Sequence, residues 1–224
     1  MRRICSLLCC LCVLAAPIRQ EEKYVALTFD DGPSGRYTQR LLEGLEERGA
    51  KATFLLCGYR IKEYPQETEQ IYKAGHEIGI HGYTHKNMQG MSRRQIAQEI
   101  IDTQALLPEN CRVRFMRPPG GCCSDAVRQV AEARDLAILT WSVDPRDWAS
   151  HSADNIEKAV MKNVRDGDVI LLHDMSDSSV TAALRIIDHL SAQGYRFITA
   201  SELAALRGCI PKAGKSYGSF CKKE

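Results

Sequence analysis

Five short groups of residues with catalytic or metal-binding potential are spread along the chain. In chain order they are Asp30 with Asp31, His81 with His85, Arg117 with Pro118, Asp144 with Asp147 and Trp148, and His173 with Asp174. Two histidines and one carboxylate make a three-ligand site with open coordination positions, which suits catalytic zinc or another divalent first-row metal. These residue types predict hydrolysis assisted by a metal ion, which polarises a carbonyl and activates a water.

Amide hydrolysis needs three further parts besides the metal. A general base takes a proton from the water, donors hold the developing oxyanion, and an acid protonates the departing amine. A second carboxylate beside the metal ligand, a glycine-rich backbone turn and a separate histidine are available for these tasks. Asp30 and Asp31 are adjacent, so one of them can bind the metal while its neighbour faces the water.

Each group by itself has a plainer interpretation. The segment Asp30-Asp-Gly-Pro33 has the composition of a turn. His81 and His85 share one side of their segment only if it is helical. Two histidines and a carboxylate also form the facial triad of non-haem iron oxygenases, although the folds of those enzymes are not built from βα repeats. It is the conjunction of five groups that favours a hydrolase.

Alternating strand and helix patterns indicate how these groups meet. Strands are predicted at 25–29, 52–57, 77–80, 114–116, 137–143, 169–172 and 196–198, and a helical pattern follows each of them. Such alternation indicates a parallel sheet with helices outside it, either a barrel, possibly incomplete, or an open doubly wound sheet. Each of the five groups directly follows a predicted strand. Active sites of both architectures lie at the carboxyl ends of the strands, so all five groups are expected on one face.

The two ends of the chain differ in composition from its centre. Arg2 and Arg3 precede an apolar run, which predicts a secretory signal peptide over 1–22, with an N-terminal membrane anchor as the alternative. The rest suffices for one domain with a sizeable core. The net charge of +2 is too small to indicate a nucleic-acid partner, so none is expected. A Gly-, Pro- and Lys-rich tail spans 208–224, and Cys209 and Cys221 bracket it as the favoured disulfide among the 15 pairings that six cysteines allow.

Five ordered motifs carry a family resemblance. They are Thr28-Phe-Asp-Asp-Gly-Pro33, His81-Gly-Tyr-Thr-His85, Arg117-Pro-Pro119, Asp144-Pro-Arg-Asp-Trp148 and Leu171-Leu-His173. Together they resemble the polysaccharide deacetylases with a NodB-type domain, carbohydrate esterase family 4. The resemblance covers 23–207 and implies an α/β fold, a distorted and incomplete (β/α)7–8 barrel. It further implies an enzyme that removes N-acetyl groups from N-acetylglucosamine-containing polysaccharide, with peptidoglycan favoured over chitooligosaccharide.

The resemblance also assigns roles, residue by residue. The metal ligands would be Asp31, His81 and His85, and the general base would be Asp30, held in place by Arg117. The ion would be zinc, with cobalt, nickel or manganese as alternatives.

The remaining roles concern the leaving group and the acetyl group. His173 would be the general acid, oriented by Asp147, and the backbone N–H of Gly120 would help to hold the oxyanion. Trp148 and Leu171 would line the pocket for the acetyl methyl group.

Two residues depart from the family pattern. Gly82 stands where a serine or threonine often steadies the loop, so support must come from elsewhere. Gly120 stands where an aromatic residue often forms one wall of the substrate groove, so that wall is open. An O-acetyl esterase acting on xylan and a catalytically silent glycan-binding module on the same fold are the alternative functions. A monomer outside the cytoplasm, secreted or associated with the cell wall, is expected, with a polysaccharide as its partner.

Overall fold

The centre of the fold is a curved parallel sheet whose first strand is apolar along most of its length. A computed structural model describes residues 22–221 of the chain. β1 (Lys23–Asp30) is buried from its third residue onward, as expected for a parallel strand covered by protein on both faces. The other strands within the described part are β2 (Ala52–Leu56), β3 (Glu77–Ile80), β4 (Phe115–Met116), β5 (Ala137–Leu139), β6 (Val169–His173), β7 (Tyr195–Phe197) and β8 (Ser216–Tyr217).

The sheet curls into an incomplete barrel, which confirms the predicted fold class. Its strand order is β6-β1-β2-β3-β4-β5-β8, with β7 also paired to β1. These pairings are all parallel, so the carboxyl ends of the strands share one edge. A parallel bridge between Val143 and Ile170 brings the chain after β5 against β6. The functional groups that follow the strands are therefore collected around one opening.

Helices cover the outer face of the sheet. Within residues 22–221 they are α1 (Arg36–Glu47), α2 (Gly58–Glu63), α3 (Pro65–Lys73), α4 (Arg93–Gln104), α5 (Asp125–Ala133), α6 (Ala153–Asn163), α7 (Asp177–Ala192) and α8 (Ala200–Leu206). α4 begins with the predicted capping box, in which Ser92 and Gln95 satisfy each other's backbone N–H groups. α1 turns its buried face, including Leu41 and Leu45, toward the central apolar cluster.

A short helix and the end of the fifth strand differ from the sequence prediction. Helix α2 was not predicted, because within it only Gly58 and Ile61 are buried and a single turn shows no apolar period. The fifth strand ends at Leu139 instead of Val143. The carbonyls of Leu139 and Thr140 accept hydrogen bonds from the buried guanidinium of Arg117. The chain then joins β6 through Ser142 and Val143, whose N–H groups donate to the carbonyl of Val169.

The segment 208–221, predicted as part of a tail, contributes to the barrel. β8 pairs with β5, and Phe220 is buried against Phe115 and Tyr217. The predicted Cys209–Cys221 disulfide is wrong, because both thiols are free. Cys209 packs against an apolar cluster of the core, whereas Cys221 is exposed.

The predicted signal peptide or anchor falls almost wholly on residues 1–21, outside the described part of the chain. Within residues 22–221, no helix is both long enough and apolar enough to span a bilayer.

Candidate active site

Asp30 and His173 end neighbouring strands at the same level of the sheet. The pairing of β1 with β6 makes Asp30 the register partner of His173. Asp30 is only 3% exposed, and His173 is partly exposed at the opening of the barrel. Parallel pairing thus brings a buried carboxylate and an imidazole from distant parts of the chain to one edge.

Asp31, His81 and His85 face one another beyond the ends of β1 and β3. Asp31 Oδ1 lies 3.4 Å from His81 Nε2 and 3.0 Å from His85 Nε2. One ligand atom from each of the three residues lies within 4.8 Å of the others. Donors bound tetrahedrally at about 2.1 Å from one ion are about 3.4 Å apart. The spacing of the three donors therefore fits a divalent metal.

Protonation and hydrogen bonding at these residues also fit a metal. The carbonyl of Arg117 lies 2.7 Å from His81 Nδ1 and can only accept, so Nδ1 carries the proton and Nε2 keeps a lone pair toward Asp31. Asp31 Oδ1 is buried and has no hydrogen-bond partner among the described residues. Burial opposes ionisation of Asp31, but the imidazoles of His81 and His85 outweigh it and lower its pKa. A lone pair and an anionic oxygen that face each other are stabilised by a shared cation.

The two histidines converge through a loop and not through a helical turn. Gly82 has a φ of 82° and His85 a φ of 58°, both in the left-handed region. Asp31 raises the pKa of His85, whose Nε2 lies 3.0 Å from Asp31 Oδ1, although burial opposes this shift. The i, i+4 spacing therefore indicated two histidines that lie close together, but the backbone that brings them together has a different conformation.

Arg117 anchors Asp30 from within the barrel. Its side chain is fully buried, and Nη1 donates to Asp30 Oδ1 at 2.6 Å and to Thr28 Oγ1 at 2.9 Å. Nε and Nη2 donate to the carbonyls of Leu139 and Thr140, both at 2.8 Å. These hydrogen bonds engage all three guanidinium nitrogens, which a buried charge requires. One oxygen of Asp30 is thereby fixed, and the other, Oδ2, lies 3.6 Å from His81 Nε2.

His173 is oriented by a buried carboxylate. Asp147 accepts the Nδ1–H of His173 with one oxygen and its backbone N–H with the other, both at 2.8 Å. His173 Nε2 lies 4.0 Å from Asp31 Oδ2, so this nitrogen faces the metal site. Burial disfavours the charged imidazole, but Asp147, followed by Asp30 and Asp31, raises the pKa of His173 to about 9. The ring is thus held in the protonated form at neutral pH.

The three residues predicted for the oxyanion and the acetyl group lie on separate elements. Gly120, in the 3₁₀ turn Pro119–Gly121, has a φ of 67° and is exposed. Within residues 22–221 its N–H donates no hydrogen bond to protein, so the donor is free for a ligand. Trp148 is 60% exposed and carries the guanidinium of Arg146 on its ring. Leu171 is buried on β6, two residues before the general-acid candidate.

Three polar residues near the site received no role at the sequence level. Thr28 bridges the guanidinium of Arg117 and the carbonyl of Ile170, and its place two residues before Asp30 in a strand was the available signal. Asp174 is fully buried and accepts a hydrogen bond from Thr38. Burial raises the pKa of Asp174 to about 6, although the bond from Thr38 opposes the shift. Glu99 on α4 is the third residue, and its contacts are described below.

Asp144 forms no hydrogen bond with the residues of the candidate site within the described part of the chain. It is exposed, and its Oδ1 accepts the backbone N–H of Arg146 within its own loop.

Comparison with known proteins agrees with this geometry. The chain is 38% identical over 192 residues to a peptidoglycan-N-acetylglucosamine deacetylase of Bacillus cereus, covering 83% of this chain and 90% of the relative. It is 35% identical to a chitooligosaccharide deacetylase of Sinorhizobium fredii, covering 76% and 87%. The structure of a family 4 acetyl xylan esterase from Clostridium thermocellum, in complex with a cobalt ion, superposes with a TM-score of 0.81 at 34% identity, covering 88% and 98%.

Other curated relatives are longer, and the chain spans about 40% of their length. The family model for polysaccharide deacetylases matches residues 18–139. The chain folds into an incomplete barrel, gathers its motif residues at one edge of the sheet and shares more than 30% identity with several relatives. It therefore belongs to the polysaccharide deacetylase family of enzymes.

Proposed function

We propose that this protein is a metal-dependent deacetylase that removes N-acetyl groups from the N-acetylglucosamine units of peptidoglycan. One observation carries the proposal: a three-ligand site of Asp31, His81 and His85 lies between a buried carboxylate, Asp30, and an imidazole, His173. When bound there, a divalent cation supplies positive charge that polarises the acetyl carbonyl and lowers the pKa of a water. Zinc is favoured, with cobalt, nickel or manganese as alternatives.

Asp30 acts as the general base. Arg117 holds Oδ1 and leaves Oδ2 facing the metal-site histidine. The fixed carboxylate takes a proton from the attacking water without first reorienting, which is the advantage of a preorganised base.

His173 acts as the general acid. Its Nδ1–H is committed to Asp147, so the proton on Nε2 is the one available to the departing amine. The raised pKa of His173 keeps that proton in place at neutral pH. Asp147 stabilises the charged ring of His173 before the proton transfer and keeps the ring in the same orientation afterwards.

Gly120 and the apolar residues receive the acetyl group. The free N–H of Gly120 donates to the developing oxyanion, and Trp148 with Leu171 lines the space for the methyl group. Because Gly120 carries no side chain and a Cβ there would meet nothing within 4 Å, the sugar groove is open on this side and accepts a bulky polymer.

Similarity to the Bacillus cereus peptidoglycan-N-acetylglucosamine deacetylase supports peptidoglycan as the substrate. Such a substrate implies an extracytoplasmic location, to which a signal peptide or an anchor at 1–22 would direct the chain. The alternative substrates are chitooligosaccharide and O-acetylated xylan, since relatives carry those names.

Acetate release from peptidoglycan, chitin oligomers and acetylated xylan, measured side by side, tests this function. We expect release from peptidoglycan to be fastest, to stop with a strong chelator and to return with added divalent metal. The variant Asp30→Asn should bind metal normally and lose turnover about 10²–10⁴-fold. The exposed Asp188, paired with Arg48 on the outer helices, provides the control Asp188→Asn with wild-type turnover. Normal turnover by Asp30→Asn would show that another group is the base.

A further inference from the structure

Glu99 on α4 reaches into the loop that carries both metal-site histidines. Its Oε2 accepts the backbone N–H groups of Tyr83 and Thr84, both at 2.7 Å. Its Oε1 accepts the hydroxyl of Thr84 at 2.8 Å. One carboxylate therefore receives three hydrogen bonds from consecutive residues between His81 and His85.

The loop is held from two sides. The carbonyls of Gly82 and Tyr83 accept the backbone N–H groups of Gly58 and Tyr59 on α2, both at 3.0 Å. These contacts use only carbonyls of the loop, and Glu99 accepts the N–H groups of Tyr83 and Thr84. Two successive N–H groups that converge on one anion form a backbone concavity suited to negative charge. Helix α2 thus engages the acceptors of the loop, and α4 engages its donors.

His81 and His85 depend on this loop to different degrees. The ring of His81 is fixed by its own hydrogen bond to the Arg117 carbonyl. The ring of His85 is 43% exposed, and within residues 22–221 its only polar partner is Asp31. The backbone is therefore what positions His85, and that backbone follows directly after the residues held by Glu99.

The glycine at position 82 leaves room for this arrangement. A Cβ at residue 82 would lie 3.3 Å from Glu99 Oε2 and 3.1 Å from Met88 Cε, and the φ of 82° disfavours any side chain there. Glycine removes a side chain that could stabilise the loop locally, and the carboxylate of α4 occupies the adjacent space. Gly82 and Glu99 are sterically matched to each other.

We propose that Glu99 is a positioning residue that sets the affinity of the site for its divalent metal by holding His85 in line with Asp31 and His81. This inference depends on the metal site of the proposed function. Loss of a residue that orients a metal ligand typically lowers metal affinity 10–100-fold. We expect a loss of that size when Glu99 is truncated.

Three variants separate hydrogen bonding from charge. Glu99→Ala removes both, and Glu99→Asp keeps the charge but is one methylene too short to span the loop. Glu99→Gln loses the charge, yet its amide oxygen still accepts the two N–H groups and its NH₂ can donate to Thr84 Oγ1. We expect Glu99→Ala and Glu99→Asp to bind metal weakly, and Glu99→Gln to stay within about threefold of wild type. Gln98→Ala, an exposed neighbour whose amide bonds only to Asp102, is the matched control.

Zinc affinity of the metal-free proteins, measured by isothermal titration calorimetry, is the primary readout, and the visible spectrum of the cobalt-loaded proteins reports ligand geometry. If Glu99→Ala fails to fold, the comparison of Glu99→Asp with Glu99→Gln decides alone. Wild-type affinity in Glu99→Asp, or equally weak binding in Glu99→Gln and Glu99→Asp, would overturn the proposal. A wild-type protein that binds no divalent metal would instead contradict the proposed function itself.

Discussion

Two buried charged side chains of this barrel, Arg117 and Asp147, have partners for all their hydrogen-bonding atoms. Arg117 is fully buried, yet each of its guanidinium nitrogens donates to a carboxylate, a hydroxyl or a carbonyl. His173 and Asp147 are similarly paired through two hydrogen bonds. Such satisfaction is what allows ionised groups to remain in a low-dielectric site. We therefore expect activity to depend on these hydrogen-bond partners as much as on the residues that would contact substrate.

Replacement of Asp147 by asparagine should move the basic limb of the pH profile. Asp147 raises the pKa of His173, and a general acid is active only below its pKa. Without that carboxylate the pKa of His173 falls by about 1–3 units, so kcat/KM of Asp147→Asn should begin to decline at a correspondingly lower pH. The measurement is kcat/KM between pH 5 and pH 10 in the metal-loaded enzymes.

The exposed Asp144 in the same loop supplies the control for that experiment. Asp144→Asn should retain the wild-type profile, because Asp144 bonds only to its own loop. An unchanged basic limb in Asp147→Asn would mean that His173 is not the group that limits the rate at high pH.

Individual site residues were predictable from the sequence where the residue type itself indicates a chemical role. Asp31, His81 and His85 were chosen as ligands, and the structure gathers their donor atoms within 4.8 Å. Glu99 could not be chosen, because a glutamate on an amphipathic helix resembles any solvated residue until the loop opposite it is known. Its contact depends on the relative position of two elements, and a single sequence does not encode that position locally.

At the scale of elements, the strands were predictable where the buried run is long. β1 and β3 begin and end close to the predicted positions, because clear turn signals flank their apolar runs. α2 was missed, since one helical turn has too few residues to show a period. β5 is shorter than predicted because carbonyls beyond it serve Arg117 instead of a neighbouring strand. The errors thus occur where tertiary contacts override local preference.

Phe220, three residues after the last strand, should contribute measurably to stability. Phe220 is 3% exposed and packs on the ring of Phe115 at a centroid distance of 6.4 Å. Truncation of a buried phenylalanine costs about 3–5 kcal/mol, so Phe220→Ala should lower the free energy of unfolding by that amount in urea titrations.

Ile210, in the same segment but 85% exposed, provides the matched comparison. Ile210→Ala should remain within about 0.5 kcal/mol of wild type. Equal stability of the two variants would show that the segment after α8 does not belong to the cooperative core.

For the molecule as a whole, we expect stability to be independent of reducing agents. The six cysteines of residues 22–221 are free, and a disulfide typically contributes about 2–4 kcal/mol. The unfolding midpoint of a protein that begins at residue 22 should therefore be the same with and without dithiothreitol. A lower midpoint in reductant would reveal a disulfide, and Cys221→Ser would test whether this exposed thiol takes part.

β1 is at once the centre of the sheet and the carrier of Asp30. It pairs with β2, β6 and β7, so neighbouring strands on both sides protect its amide protons from exchange with solvent. Amides in such a position exchange through the largest opening events of a protein, whose free energy approaches that of global unfolding. Asp30 thus lies on the strand that we expect to exchange most slowly, while the left-handed loop of His85 lies at the periphery. If the protein binds a metal as proposed, mild denaturation should therefore release it first and displace Asp30 only when the whole barrel unfolds.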